Sequence, residues 1–299
     1  MKMDEFTAFE TAAHIWLSVK RLEVKANTYS ESYERTVEKI LLPRMQSVKL
    51  GEIDRTFTID LFSELASSYS DSTLHKCKIA LCGILEEAAY SGASLQPLPK
   101  IKIRSKIPKK EKRTYSLEDT EKIKAYCREH NHGLSVILLL ELGLRCSEML
   151  GLRWEDIDFS SRFIKIERGC VSVNGKPYID VPKSESSNRE LPISAEFCDY
   201  LKSVQTSKEG YVVNVGDKLM TPANYTKHRY NKVFAQMQDA INIERLTPHE
   251  LRHTCGTLLY KKTGDIYAVS KYLGHSSVAI TASYYVHSDV EMLRERLFI

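Results

Sequence analysis

The chain has 299 residues, of which 42% are hydrophobic and 27% charged, a soluble-protein balance with room for two domains that each bury a core. A net charge of +4 is mild, so any nucleic-acid surface must come from local clustering, and the seven scattered cysteines form no C-x-x-C pair and read as reduced thiols rather than a disulfide framework. The most apolar stretch, Leu134 to Leu144, contains Glu141 and is too short to cross a bilayer, and no apolar run follows the first residues, so neither a signal peptide nor a membrane partner is expected and the location is expected to be cytoplasmic.

Residues 4 to about 95 read as all-helical. Phe6, Phe9, Ala13, Trp16 and Leu17 are spaced for one helix face. A second helix is expected from Tyr29 to Met45 and a third after Thr58, carrying Ile59, Leu61, Phe62 and Leu65. The fourth starts at Asp71 or Ser72 and carries Leu74, Cys77, Ile79, Leu81, Ile84 and Leu85 as far as Tyr90. Four helices in this span make a small bundle, taken as a domain over 1–96.

The composition then shifts. Pro97, Pro99 and Pro108 forbid a helix, and residues 100–113 hold Lys100, Lys102, Arg104, Lys106, Lys109, Lys110, Lys112 and Arg113 against Glu111 alone. Residues 97–113 are read as a linker. Its bland role is that of a solvated connector; its functional role is a basic strap across phosphates, in which Lys100, Lys102, Arg104 and Lys106 bind DNA.

A second domain, 114–299, opens with Ser116 and Asp119 in capping-box spacing and a helix to about Glu129. Val136 to Leu140 are apolar on every face, so that helix should be central. Gly143 breaks it. A new helix starts near Arg145 and ends before Trp154, with Glu148 placed three residues on to hold the Arg145 guanidinium. From Ile157 the period changes to two. Residues 163–166 read as a strand, Val171–Val173 and Lys176–Val181 flank an Asn174-Gly175 hairpin turn, and Arg189–Ile193 follows as a further strand of one small sheet. Lys183 lies in the polar loop at its tip and, taken alone, reads as an ordinary exposed lysine. Helices return near Ser194 and from Pro222 to Ile243.

The stretch from Thr247 to His287 organises the rest. Thr247 can cap a helix that begins with Pro248 and carries His249 and Arg252 on one face. That helix stops near Lys261, Lys262 and Gly264. A second, from about Asp265, carries Ile266, Val269 and Leu273 and closes at Gly274, with His275 next. Ser277 can cap a third, bearing Thr281, Tyr284 and Tyr285. This set suits a phosphodiester, which needs cationic donors on its non-bridging oxygens, an in-line nucleophile and an acid for the leaving oxygen. Arg252 and His275 can donate, His249 can donate or act as base, and a tyrosine is the candidate nucleophile. No carboxylate cluster is present to hold Mg²⁺, so neither metal nor cofactor is expected.

Taken in order, these motifs resemble the tyrosine recombinases, the phage-integrase family, over nearly the whole chain. ELGLRCSEMLGLRWEDID is similar to the box of the first catalytic arginine, which places that role on Arg145. VPKSESSNRELPI is similar to the loop of the catalytic lysine, giving Lys183. TPHELRHT gives His249 and Arg252, and YLGHSSVAIT gives His275. The nucleophile box matches Thr281, Tyr285 and His287, and Tyr284 competes with its neighbour because the spacing from the last His varies in the family. The expected fold is mainly α with a small antiparallel β-sheet: a four-helix core-binding domain and an α+β catalytic domain. The arm-binding domain of some phage integrases is expected to be absent.

The resemblance implies a site-specific recombinase that cuts and rejoins duplex DNA through a 3′-phosphotyrosine, without metal or ATP, to integrate or excise a phage or mobile element. The alternatives are a type IB topoisomerase-like relaxing enzyme and a non-catalytic sequence-specific DNA-binding protein. Double-stranded DNA and a homotetramer on two DNA sites are the expected partners, with accessory DNA-bending or directionality factors as optional ones. The apolar-striped tail with Val290, Leu293 and Leu297 docks either on its own domain or on a neighbour.

Overall fold

The computed structural model describes residues 2–96, 102–108, 113–130, 133–181, 188–213 and 218–285, with the backbone alone at 283–285. Lys100, Lys109, Lys110, Lys112, Lys183, His287 and the tail beyond it therefore lie outside the described residues. The chain divides into two compact units, Met1–Glu111 and Lys112–Ile299.

The first unit is helical. The helix Phe9–Glu23 buries Phe9, Ala12, Ala13, Trp16 and Leu17. Phe6 precedes this helix, so its spacing does not place it on the buried face, and it is exposed. Residues 26–45 form one helical run with π-helical turns at Tyr29–Glu34 and Val37–Leu41. The third helix starts before Thr58, at Arg55, because Asp54 caps it: its Oδ1 accepts the Phe57 N–H at 2.8 Å. The helix Asp71–Tyr90 buries Leu74, Cys77, Leu81, Ile84 and Leu85 but leaves Ile79 exposed, off that stripe. Trp16 lies directly on Gly83, where an added Cβ would come within 2.6 Å of the indole nitrogen.

Residues 102–108 run along this unit. Ile103 packs on its core, Ser105 bonds Asp71 and Tyr69, and the Lys106 N–H donates to the Ala66 carbonyl at 2.9 Å. Lys102, Arg104 and Lys106 are exposed between these anchors. This part of the basic stretch is pinned with a two-residue period, where a solvated connector would be loose. Arg113, at the far end, belongs to the second unit and is engaged by Glu244 and Glu250. It is thus tied to protein carboxylates, unlike Lys102, Arg104 and Lys106 among the described residues.

In the second unit the helix Leu134–Leu142 is central, with Val136, Ile137, Leu138 and Leu139 wholly buried. It packs against the helix Pro248–Thr263. The strands form two sheets where one was expected. β1 (Ile157–Asp158), β2 (Phe163–Ile166) and β5 (Arg189–Pro192) make an antiparallel sheet in the order β1-β2-β5. β3 (Gly169–Val173) and β4 (Lys176–Asp180) make a separate hairpin. Its turn is at Asn174 (φ 50°) and Gly175 (φ 74°), the left-handed pair that a two-residue hairpin loop needs. No helix of the described residues is long and apolar enough to cross a membrane.

Candidate active site

Three helix ends meet at the site. The helix Pro248–Thr263 begins with a reciprocal cap: the Glu250 N–H donates to Thr247 Oγ1 at 3.3 Å and the Thr247 N–H to Glu250 Oε2 at 2.7 Å. This puts His249 and Arg252 in its first turns. His249 packs edge-on against His253, with ring centroids 4.4 Å apart. The helix Ile266–Leu273 is capped by Asp265, which accepts from the N–H groups of Tyr267 and Ala268. It ends in a left-handed Gly274 (φ 68°), with Gly274 N–H on the Lys271 carbonyl and His275 N–H on the Ser270 carbonyl. That cap satisfies Ser270 and Lys271. The next three carbonyls, of Tyr272, Leu273 and Gly274, point at side chains instead.

Each of those carbonyls takes a different arginine. Arg189 Nε donates to Tyr272 at 2.8 Å, Arg252 to Leu273 at 2.5 Å and Arg145 to Gly274 at 2.9 Å. Positive charge at a helix C-terminus is favoured by the helix dipole. Arg252 also donates to the Gly143 carbonyl at 2.7 Å. Gly143 ends the central helix in a left-handed turn (φ 58°), and a Cβ there would sit 2.5 Å from Leu273. Only glycine therefore gives both the turn and the close approach that aim this carbonyl at Arg252.

The same three arginines surround Glu148, which is 4% exposed. Arg145 donates to Oε1 at 2.6 Å, and its backbone N–H to Oε2 at 2.9 Å. Arg189 spans both oxygens, at 3.2 and 3.0 Å. Arg252 lies 3.7 Å away. Burial by itself would raise the Glu148 carboxyl, but Arg189 first, then Arg145 and Arg252, overcome this and bring it down to about 2. A buried ion cluster of this kind holds only while each charge is matched and hydrogen-bonded.

His275 sits beside the cluster, with Nδ1 2.8 Å from the hydroxyl of Thr281. Thr281 is buried and lies on the helix Val278–Tyr285, so this contact ties the histidine to the segment that carries both candidate tyrosines. Burial, then the positive charges of Arg252, Arg145, Arg189 and His249, lower the imidazole to about 4. The ring is neutral at pH 7 in the free protein. An electropositive site that already holds a neutral histidine is built for an anion: a bound phosphate would supply the missing negative charge.

Of the residues the sequence singled out, Arg145, Arg252 and His275 come together, and His249 is near enough to act on the His275 charge. Arg252 is more enclosed than a surface donor, at 1% exposure, and Arg145 is the open member, with its side chain 38% exposed. Lys183 lies outside the described residues, as do the side chains of Tyr284 and Tyr285. Sequence reasoning missed Arg189 altogether and gave Glu148 only one of its three arginines.

The phage integrase family model matches residues 114–292. A "tyrosine recombinase XerC-like" protein of Caldanaerobacter subterraneus subsp. tengcongensis is 29% identical over 210 residues, covering 63% of this chain and 52% of its own. The transposase from transposon Tn916 of Enterococcus faecalis is 28% identical over 182 residues, covering 56% of this chain and 44% of its own. The chain thus spans about half the length of the curated relatives it matches. Among solved structures, the Tn1549 transposon integrase in complex with transposon right end DNA superposes with a TM-score of 0.79 at 19% identity, over 97% of this chain and 98% of that one. The XerH site-specific recombinase bound to palindromic difH substrate gives 0.67 at 18%, over 100% and 99%. At these identities the likeness is one of fold.

Proposed function

The chain belongs to the phage integrase family, and from that premise we propose that it is a site-specific DNA recombinase that cuts and rejoins duplex DNA through a 3′-phosphotyrosine. The observation that carries this reading is the gathering of Arg145, Arg252 and His275 around the end of one helix, bonded through Thr281 to the helix that bears Tyr285. Matched relatives include transposon transposases and an integrase of Bacillus subtilis named ICEBs1 integrase, which supports a mobile element as the substrate context.

In the proposed reaction Tyr285 attacks a backbone phosphorus. The bond from phosphorus to the 5′ oxygen breaks, and a 3′-phosphotyrosyl bond and a free 5′-hydroxyl result. Arg145, Arg252 and His275, which takes up a proton from water once the phosphate's negative charge lies beside it, stabilise the charge that builds on the non-bridging oxygens. Tyrosine ionises at about 10, so its proton must leave as the bond forms, and His249 supports that transfer. Lys183 protonates the leaving 5′ oxygen. The 5′-hydroxyl of a partner strand then attacks the phosphotyrosine and restores the tyrosine, so the bond energy is conserved without ATP. Residues 1–96 serve as the core-binding domain and 114–299 as the catalytic domain. The linker residues Lys100, Lys102, Arg104 and Lys106 contact phosphates, four protomers act on two duplexes, and the location is cytoplasmic.

The test is incubation with nicked target DNA followed by a denaturing gel. A protein–DNA adduct supports the reading, and none excludes it in favour of a DNA-binding protein. Recombinant product separates the recombinase from a topoisomerase that only relaxes supercoils.

A further inference from the structure

Arg189 opens β5 and is closed off from solvent, its side chain 7% exposed. Arg145, its side chain 38% exposed, is by contrast the open member of the cluster. The contacts of Arg189 are specific. One guanidinium edge takes both oxygens of Glu148, and Nε takes the Tyr272 carbonyl. Glu148 and the end of the helix Ile266–Leu273 are the two walls between which Arg145 and Arg252 are held. Arg189 is bonded to both walls. A buried carboxylate has about four acceptor sites to fill. Without Arg189, those sites fall to Arg145 and Arg252, the groups that must turn their N–H donors toward a phosphate.

We propose that Arg189 is a positioning residue that clamps Glu148 to the Tyr272 carbonyl and so sets where Arg145 and Arg252 present their donors. This rests on the recombinase reading above. A planar, forked donor set is needed: an ammonium at this position keeps the charge but is a single point that does not bridge a carboxylate and a carbonyl in the same way.

The experiment uses the full chain and a nicked duplex whose sequence is that enriched by the wild-type chain from a random-sequence duplex pool. The rate of covalent adduct formation at saturating DNA, the DNA dissociation constant and the thermal unfolding midpoint are measured for wild type, Arg189→Met, Arg189→Lys, Glu148→Gln and the Arg189→Met/Glu148→Gln pair. Arg189→Met and Arg189→Lys are expected to slow adduct formation on the order of 10²-fold, as misplaced catalytic groups do, with little change in dissociation constant. The paired variant should be less slow than the product of its two single effects, because removing both charges releases Arg145 and Arg252 from an uncompensated carboxylate. A role in packing alone would give multiplicative rates. Where Arg189→Met does not fold, Arg189→Lys decides, since it keeps the charge. A wild-type adduct with an undiminished Arg189→Lys rate, or multiplicative rates in the pair, overturns this inference alone; no adduct from the wild-type chain overturns the recombinase reading with it.

Discussion

His275 Nδ1 and Thr281 Oγ1 lie 2.8 Å apart, in a site where burial and four positive neighbours bring the imidazole from 6.5 down to about 4. The unfolded chain binds a proton at this ring below pH 6.5, whereas the folded chain does so only near pH 4. Between those values the unfolded state holds more protons, so the contribution of His275 to stability is full above pH 6.5 and is lost as the pH falls to 4. His275→Gln keeps a polar group near Thr281 but cannot titrate. Its urea midpoint is expected to fall less steeply than wild type between pH 6.5 and 4. Parallel profiles over that window would show that the ring does not titrate as its surroundings imply.

Glu148 titrates in a lower window. Its carboxyl is brought from 4.5 to about 2, so its contribution to stability is present above pH 4.5 and lost as the pH falls toward 2. Glu148→Gln leaves Arg145, Arg189 and Arg252 without their shared anion. A loss of about 3 kcal/mol at pH 7 is expected, in the range for breaking a buried ion pair. Urea unfolding at a series of pH values measures it, and the gap to wild type should narrow below pH 4.5. A loss that is the same at pH 3 and pH 7 would mean that the missing charge is not its cause.

What the sequence showed and what it hid follow from how far apart the interacting residues are. The Thr247 cap and the Asn174-Gly175 turn are local chemistry, and both stand where the sequence placed them. The all-apolar Val136–Leu140 run had nowhere to go but the centre. Arg145, Arg252 and His275 were legible as an ordered set, because each sits at a helix end marked by Pro or Gly. Arg189 was not. It reaches Glu148 across 41 positions and Tyr272 across 83, and no period or cap in a strand predicts that meeting. The split into two sheets was hidden for the same reason: β2 pairs with β5 past the intervening hairpin, and the alternation of each strand is silent on its partner. The pinned segment at 102–106 carried a signal that proline and charge obscured, since Ile103 and Ser105 face in between exposed cations.

That pinned segment makes a salt prediction. Lys102, Arg104 and Lys106 are held in a row along the first unit by the contacts of Ile103, Ser105 and the Lys106 backbone, and their side chains are exposed. Replacing them by Gln should weaken binding to all DNA sequences alike and leave the unfolding midpoint nearly unchanged. The slope of log affinity against log salt should shrink by up to about 0.9 per lost phosphate contact. Adding Lys100→Gln should lower it further. An unchanged slope would return the segment to a solvated connector.

The choice between Tyr284 and Tyr285 turns on Thr281. That residue is wholly buried and bonded to His275, so it marks the site-facing side of the helix Val278–Tyr285. A position four residues on shares that side of a helix, and one three residues on lies nearby but is rotated by about 100° from its neighbour. Tyr285 is four from Thr281. Tyr284 is four from Ile280, which is 39% exposed, so the side it shares is not the one fixed by His275. Tyr285→Phe should therefore bind DNA with wild-type affinity, since only a hydroxyl is removed, and form no covalent adduct. Tyr284→Phe should keep most adduct formation. Both are read on a denaturing gel with nicked target DNA, alongside a filter-binding or mobility-shift titration. If Tyr284→Phe alone abolishes the adduct while Tyr285→Phe retains it, the nucleophile moves by one residue, and the Thr281 contact no longer marks the reactive face.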